Sequence, residues 1–285
     1  MREIVWRIGD PETPREPPPA DAATARARVE RGNDAFAALF DGEGTTRLVQ
    51  LAPEELGLSP TGQAPEQRPF AAVLSCADAR VPVELLLSQR ANDIFVVRVA
   101  GGVLSEGALG SLDYATTRLP TVQLALSLGH SGCGAVTAAV DTYLDPPSYF
   151  DVGQSRPLLS LVQNLLGAVR MADHALAVVH GPEVTARPGY RAALVDLAVV
   201  ANAGTSASAI ATRIARRPEP FMRGVQTVFG VYDLVSRTIG LPGTAAEWAP
   251  GLADVPREAR TFARTLEEMA FGPRLTRLLD LGDAG

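Results

Sequence analysis

Cys76, Asp78 and Arg80 stand at alternate positions in Ser75-Cys76-Ala77-Asp78-Ala79-Arg80, directly after the apolar run Phe70 to Leu74. His130 and Cys133 stand three apart in Gly129-His130-Ser131-Gly132-Cys133-Gly134, directly after a second apolar run, Val122 to Leu128. Two thiolates and an imidazole are a set that zinc accepts at about 2.0 to 2.3 Å, with a fourth position left over. Asp78 and water both claim that position. With Asp78 bound the cage closes; with Asp78 held aside by Arg80, water enters and can be ionised.

Each of these residues has a plainer reading when taken alone. A buried cysteine is usually a small hydrophobe, and a lone histidine in a loop is more often a hydrogen-bonding residue than a ligand. A disulfide between Cys76 and Cys133 is a further alternative, disfavoured in a reducing compartment. What favours a metal is that both short patterns fall at the ends of strands in one sheet.

Stepping outward from the loops, the chain alternates strand and helix: strand 70–74, helix 81–90, strand 94–99, helix 106–118 with Ser105 as its N-cap, strand 121–128 and helix 135–143. That alternation predicts a fold of the α/β class, a mostly parallel central sheet flanked by helices. In such sheets ligands gather at the carboxyl ends of strands near a change in strand order, where Cys76 and His130 both fall. A loop is expected over 145–157, an amphipathic helix over 157–179, a loop over 181–189, an alanine-rich helix over 190–216 and a last strand within 225–235. Residues 1–20, ending in Pro17-Pro18-Pro19, read as an extended N-terminal arm. A helix over 22–40 follows, weakened at Gly32-Asn33, with an apolar stripe that could be buried against a neighbouring subunit. Residues 41–68 read as turn-rich, with a short helical turn near Glu54. The domain is placed at 21–243, and 244–285 is read as a helical C-terminal extension, helical from about Pro256, that packs either on the core or on a partner.

Of the 285 residues 46% are hydrophobic, enough for a sizeable core, and the formal net charge is -6. Every basic residue is arginine, and no basic run offers a footprint for nucleic acid or an anionic membrane. A small-molecule partner is the default. Two cysteines do not make a disulfide framework, and acids and prolines occupy the first twenty residues where a signal peptide needs an apolar core, so a cytoplasmic location is expected. No apolar run approaches the roughly 18 residues of a membrane span.

The chain resembles the β-class carbonic anhydrases in Cys76-Ala77-Asp78-Ala79-Arg80-Val81-Pro82, Phe95-Val96-Val97-Arg98, Gly110-Ser111-Leu112-Asp113-Tyr114-Ala115 and Gly129-His130-Ser131-Gly132-Cys133-Gly134-Ala135. Weaker similarity lies in Arg31-Gly32-Asn33 with Phe36 and in Gly230-Val231-Tyr232-Asp233, so the resemblance runs from about residue 26 to 240. It implies one zinc ion per chain held by Cys76, His130 and Cys133, with Asp78 and Arg80 as a catalytic dyad and Asp78 as a fourth ligand in a closed state. It implies reversible hydration of carbon dioxide to bicarbonate and a proton, in a pocket at the interface of a homodimer or higher assembly. Gln67, nine residues before the first cysteine, matches a substrate-orienting glutamine, and Phe95, Ala100 and Tyr114 match an apolar surround. Phe95 and Tyr114 would also pass as core residues. Arg98-Val99-Ala100-Gly101-Gly102, Ala77 and Ala79 depart from the family pattern, which bears on hydrogen bonds around the metal rather than on the ligands. Relatives also hydrolyse carbon disulfide or carbonyl sulfide on such a site, and a non-catalytic bicarbonate-responsive or scaffold protein is a third reading. His174 and His180 are read as solvated surface residues.

Overall fold

The computed structural model describes residues 3–8, 16–39, 46–51, 64–216, 224–255 and 258–281. Its first strands are a correction. Strand β1 (Glu3–Ile8) pairs in parallel with β2 (Thr46–Leu51) as a separate two-stranded sheet. Residues 1–20 are therefore not an extended arm throughout, and 41–68 are not without a strand. Both segments are β-branched and apolar enough to pair once brought together, a non-local partnership that neighbouring prolines obscure. The turn expected near Glu54 lies outside the described residues.

Helix α1 (Ala22–Ala38) starts at Asp21, whose carboxylate accepts from the Thr24 backbone at 2.8 Å while the Thr24 hydroxyl accepts from the Asp21 N–H at 3.1 Å. It runs unbroken through Gly32 and Asn33, because both have tertiary work there. A Cβ at Gly32 would overlap the Leu87 carbonyl, and Asn33 donates to Leu86 O at 3.3 Å and accepts from Ile239 N at 2.7 Å. Its stripe of Ala25, Val29 and Phe36 is buried in its own chain, in one core with strand residues Ala71, Val73 and Leu124. The expectation that this face needs a neighbouring subunit is thereby overturned.

The main sheet has seven strands among the described residues, with β3 (Ala71–Ser75), β4 (Ile94–Arg98), β5 (Leu124–His130) and β6 (Gln226–Tyr232) all parallel. Strands β7 (Ile239–Pro242) and β8 (Trp248–Pro250) extend it antiparallel, and β9 (Ala253–Asp254) pairs with β6. The order β4-β3-β5-β6-β7-β8 puts β3 between the strands that follow it on either side, so the connection reverses direction at β3. That reversal opens a crevice at the carboxyl ends of β3 and β5.

One face of the sheet carries α1 and α2 (Val83–Leu86); the latter is shorter than the predicted 81–90, the chain turning at Ser88 with φ 53°. The other face carries α3 (Glu106–Arg118), α4 (Gly134–Leu144), α6 (Arg156–His180) and α7 (Tyr190–Ala215), with a short α5 (Ser148–Gly153) where a loop was expected. A 3-10 turn, Pro182–Ala186, occupies the other expected loop. Helix α7 is long and apolar enough to cross a membrane by length and composition, and its residues from Ala193 to Ala207 are almost all buried in the core.

Of the two placements open to the region after 243, the structure has the one on the core. Helices α8 (Ala259–Phe271) and α9 (Pro273–Leu281) bury Phe262, Leu266, Met269, Leu275 and Leu279 in the same core as α6 and α7. Glycines admit them: a Cβ at Gly204 of α7 would overlap the Phe262 ring, and one at Gly189 would overlap the Leu278 carbonyl. With β8 in the main sheet as well, the region after 243 completes the core rather than extending it.

Candidate metal centre

Strand β3 is buried along its whole length and delivers Cys76 from its carboxyl end; β5 runs beside it in parallel, Ser75 opposite Leu128, and delivers His130. Cys133 caps the amino end of α4. The three side chains are buried, and one ligand atom from each lies within 4.8 Å of the others. The two sulfurs are 3.9 Å apart, against the ~3.8 Å that two thiolates span on a tetrahedral zinc and the ~2.05 Å of a disulfide. Nδ1 of His130 lies 3.0 Å from the Ser131 carbonyl, which fixes the proton on that nitrogen and turns Nε2 inward as an acceptor. Nε2 is fully buried with no hydrogen-bond partner among the described residues. A buried, unpartnered imidazole nitrogen facing two sulfurs fits a metal ion of the zinc type.

The thiols are tuned against one another. The hydrogen bond from Cys133 draws Cys76 well below the ordinary thiol range, helped by His130 and by the Asp78 and Gly101 N–H groups at 3.4 and 3.3 Å from its sulfur. The same contact and burial push Cys133 upward. Without a cation the pair thus holds one negative charge; a divalent ion removes the obstacle to the second. Gly101 reaches the sulfur from the turn Ala100–Gly102 with φ 69°, a conformation that suits glycine. Asn202 of α7 fixes this turn by donating to the Gly101 carbonyl at 2.8 Å.

Asp78 is gripped at both oxygens by Arg80, Nε to Oδ1 at 3.0 Å and Nη2 to Oδ2 at 2.7 Å. These bonds hold its carboxyl well below the usual range, so it is a carboxylate at neutral pH. Its Oδ2 is 3.7 Å from Nε2 of His130, beside the place a metal would occupy, while its bonds point it at Arg80. Arg80 Nη2 also donates to the Gly132 carbonyl at 3.2 Å, tying the two ligand loops together.

Ala100 joins this cluster through its turn, but Gln67, Phe95 and Tyr114 do not. They gather elsewhere: Phe95 pairs with Ala72 near the amino end of β3, its ring centroid 6.3 Å from that of Tyr114, and Gln67 and Phe95 line a cavity of about 340 Å³. From Ala72 to Cys76 a strand advances ~13 Å, so one chain does not bring this group to its own metal set. Tyr114 is 49% exposed, not a core residue. The sequence reading missed Arg98, which donates from Nε to Cys76 O at 3.1 Å and from Nη2 to Asp78 O at 2.5 Å. An arginine closing the apolar strand Ile94–Val97 is a signal that could have found it; Asn202 carries none. Of the remaining histidines, His174 is exposed while His180 is half-buried, Nε2 2.9 Å from the Ala270 carbonyl, a structural rather than a solvated role. A larger cavity of about 650 Å³ between α3, α6, α7 and α8 contains none of the ligand residues.

A family model described as carbonic anhydrase matches residues 71–207. Carbonic anhydrase 2 of Mycobacterium tuberculosis is 44% identical over 101 residues, 34% of this chain and 48% of that protein. A carbonic anhydrase of Mycolicibacterium smegmatis is 50% identical over 74 residues, 26% of this chain and 35% of that protein. This chain thus spans half or less of the curated relatives it matches. Among solved structures, a Coccomyxa β-carbonic anhydrase in complex with acetazolamide is 20% identical, with a TM-score of 0.47 and coverage of 78% of this chain and 86% of that one. An apo carbon disulfide hydrolase is 18% identical, with a TM-score of 0.36 and coverage of 62% and 80%. The family match runs through both ligand loops, from β3 into α7, and with the named relatives it supports the β class of the carbonic anhydrases as the family this chain resembles.

Proposed function

We propose that this chain catalyses the reversible hydration of carbon dioxide to bicarbonate and a proton, with one zinc ion held by Cys76, His130 and Cys133. The observation that carries the proposal is the buried, unpartnered Nε2 of His130 facing two sulfurs 3.9 Å apart, with a carboxylate at 3.7 Å that is already engaged by an arginine. Zinc supplies Lewis acidity there, enough to bring the ionisation of water towards neutral pH. Arg80 keeps Asp78 turned aside, which leaves the fourth position to water and argues against a permanently closed scaffold protein. Asp78, a carboxylate throughout, can accept a hydrogen bond from a water beside the ligands and orient it.

Exposed Gln67 and Tyr114, with half-buried Phe95, support a homodimer in which each chain orients carbon dioxide in the other's site. Gln67 donates an amide hydrogen bond to a substrate oxygen, and the rings keep water from its flanks. Complementation tests this. Gln67→Ala should retain zinc with little activity, and Cys133→Ala should retain neither. Mixed and reassociated, the two should regain about a quarter of the wild-type sites, because each mixed dimer holds one intact site. No recovery in a proven dimer would overturn the shared pocket. Metal analysis with a carbon dioxide hydration assay, run beside carbonyl sulfide and carbon disulfide, tests the activity itself; a zinc-loaded chain inert to carbon dioxide would overturn it.

A further inference from the structure

Helix α9 lies outside the family match, yet it puts a cation behind the second ligand loop. Arg274, in its first turn, forks onto Asp196 of α7, Nε to Oδ2 at 2.7 Å and Nη2 to Oδ1 at 3.1 Å. Nη2 also reaches Asp233 Oδ1 at 3.3 Å. The two carboxylate side chains are 13% and 5% exposed. Carboxylates so buried need a cation, and Arg274 is the one they share. Its guanidinium is itself covered by the Trp248 ring, 4.9 Å below.

Asp233 leads to the metal set. It directly follows β6, its Oδ2 accepting from Ser236 N at 2.8 Å, and it stands between Tyr232 and Leu234, both of which bond to Ser131. The Ser131 N–H donates to Tyr232 O at 3.0 Å, and its hydroxyl accepts from Leu234 N at 2.9 Å. Ser131 stands between His130 and Cys133, and its carbonyl is the partner that sets the His130 tautomer at 3.0 Å. Arg274, Asp233 and the two residues flanking Asp233 thus link α9 through the turn after β6 to the Ser131 backbone that orients His130.

We infer that Arg274 is a positioning residue for the metal centre, so that α9, a part of the chain beyond the family match, sets how firmly zinc is held. The inference rests on the zinc reading above. Removing Arg274 leaves Asp196 and Asp233 buried without their cation; the turn after β6 relaxes and His130 loses its fixed partner. Outer partners of this kind alter metal hold by about 10 to 100-fold.

The test is the rate at which zinc passes to a chelator, measured well below the unfolding temperature, together with the absorption spectrum of the cobalt-substituted protein. Arg274→Ala should lose zinc about tenfold faster and show altered cobalt bands. Arg274→Lys, a point charge that cannot fork across two carboxylates, should fall between, and decides by the same criterion should Arg274→Ala fail to fold. Phe262→Ala, which opens a cavity at Gly204 away from this network, should lower the unfolding temperature without changing the zinc rate. Wild-type zinc release and cobalt spectra in the Arg274 variants would overturn the inference while the zinc reading stands. A wild-type chain that takes up no zinc would overturn both.

Discussion

The two ligand loops are braced in different ways. The loop from Cys76 to Arg80 is held by near neighbours in the sheet. Arg98, beside it on β4, bonds the Cys76 and Asp78 carbonyls, Gly101 donates to the Cys76 sulfur, and Arg80 closes on Asp78 two residues away. Apart from the Arg80 bond to its Gly132 carbonyl, the loop from Gly129 to Cys133 is held from afar, by Tyr232 and Leu234 and, behind them, Asp233 and Arg274. One loop is therefore a local structure that the α/β unit makes for itself, while the other depends on the chain completing β6 and α9. Strand β6 is a central strand in the sheet and α9 buries Leu275 and Leu279 fully, so the remote brace is as well anchored as the near one.

The largest expected effects treat the loops alike. Cys76→Ser and Cys133→Ser should each leave less than about a tenth of the zinc, because a three-ligand site that loses a thiolate loses most of its affinity. Elemental analysis after dialysis reads this, and full zinc in either variant would remove that cysteine from the set. Next comes Arg80→Ala. Zinc should stay, but Asp78, released from its fork, is free to swing toward the cation, and hydration should fall on the order of 100-fold. Even without Arg80 an aspartate is ionised near neutral pH, so raising the pH supplies no further negative charge at Asp78 and should not rescue the variant. Near-normal turnover at alkaline pH would mean that Arg80 does not hold the first loop open.

The same contrast explains what could be read from the residues alone. Cys76, Asp78 and Arg80 declare themselves by alternate spacing after an apolar strand, and the structure joins all three within bonding distance. His130 and Cys133 are equally legible because ligand identity is local. Their bracing is not, since nothing near Ser131 names Arg274, which is an ordinary arginine in an amphipathic helix. Long-range partnership hides the strands as well. Thr46–Leu51 becomes β2 only because Glu3–Ile8 lies alongside, and Gly32 stays helical only because Leu87 leaves no room for a side chain. Gln67, Phe95 and Tyr114 were legible by resemblance, but the separation of Phe95 from Cys76 depends on its pairing with Ala72 near the amino end of β3, a question of register rather than of residue type.

Arg98 offers a smaller and more diagnostic effect. Arg98→Ala removes both donors to the first loop and should speed zinc release by about tenfold, comparable to Arg274→Ala on the second loop. If the loops are braced independently, the double variant should multiply the two factors, since effects at sites with no shared partners add in free energy. A double variant no worse than either single one would show that the braces act as one unit and would break the comparison.

The smallest expected effect separates the loops by acid. Burial, the largest influence on Asp233, works to raise its pKa, but the Ser236 backbone and hydroxyl, Arg274 and Ser131 together outweigh it and the net direction is down. A carboxyl whose folded pKa lies below its unfolded value stabilises the fold fully above the unfolded pKa of about 3.9, and that contribution is lost as pH falls through the folded value. Metal-free protein isolates this from ligand protonation. In urea unfolding near neutral pH, Asp233→Asn should be less stable than the wild type by about 1.5 to 3 kcal/mol, the worth of a hydrogen bond to a charged group. As the pH falls from about 4 through the folded value, the wild-type carboxyl takes up its proton, comes to resemble the amide, and the gap should close. A gap that stays constant over this whole fall would mean that the Asp233 charge does not hold the turn after β6. The second ligand loop would then rest on the Ser131 N–H to Tyr232, the Leu234 N–H to the Ser131 hydroxyl and the Arg80 bond to the Gly132 carbonyl.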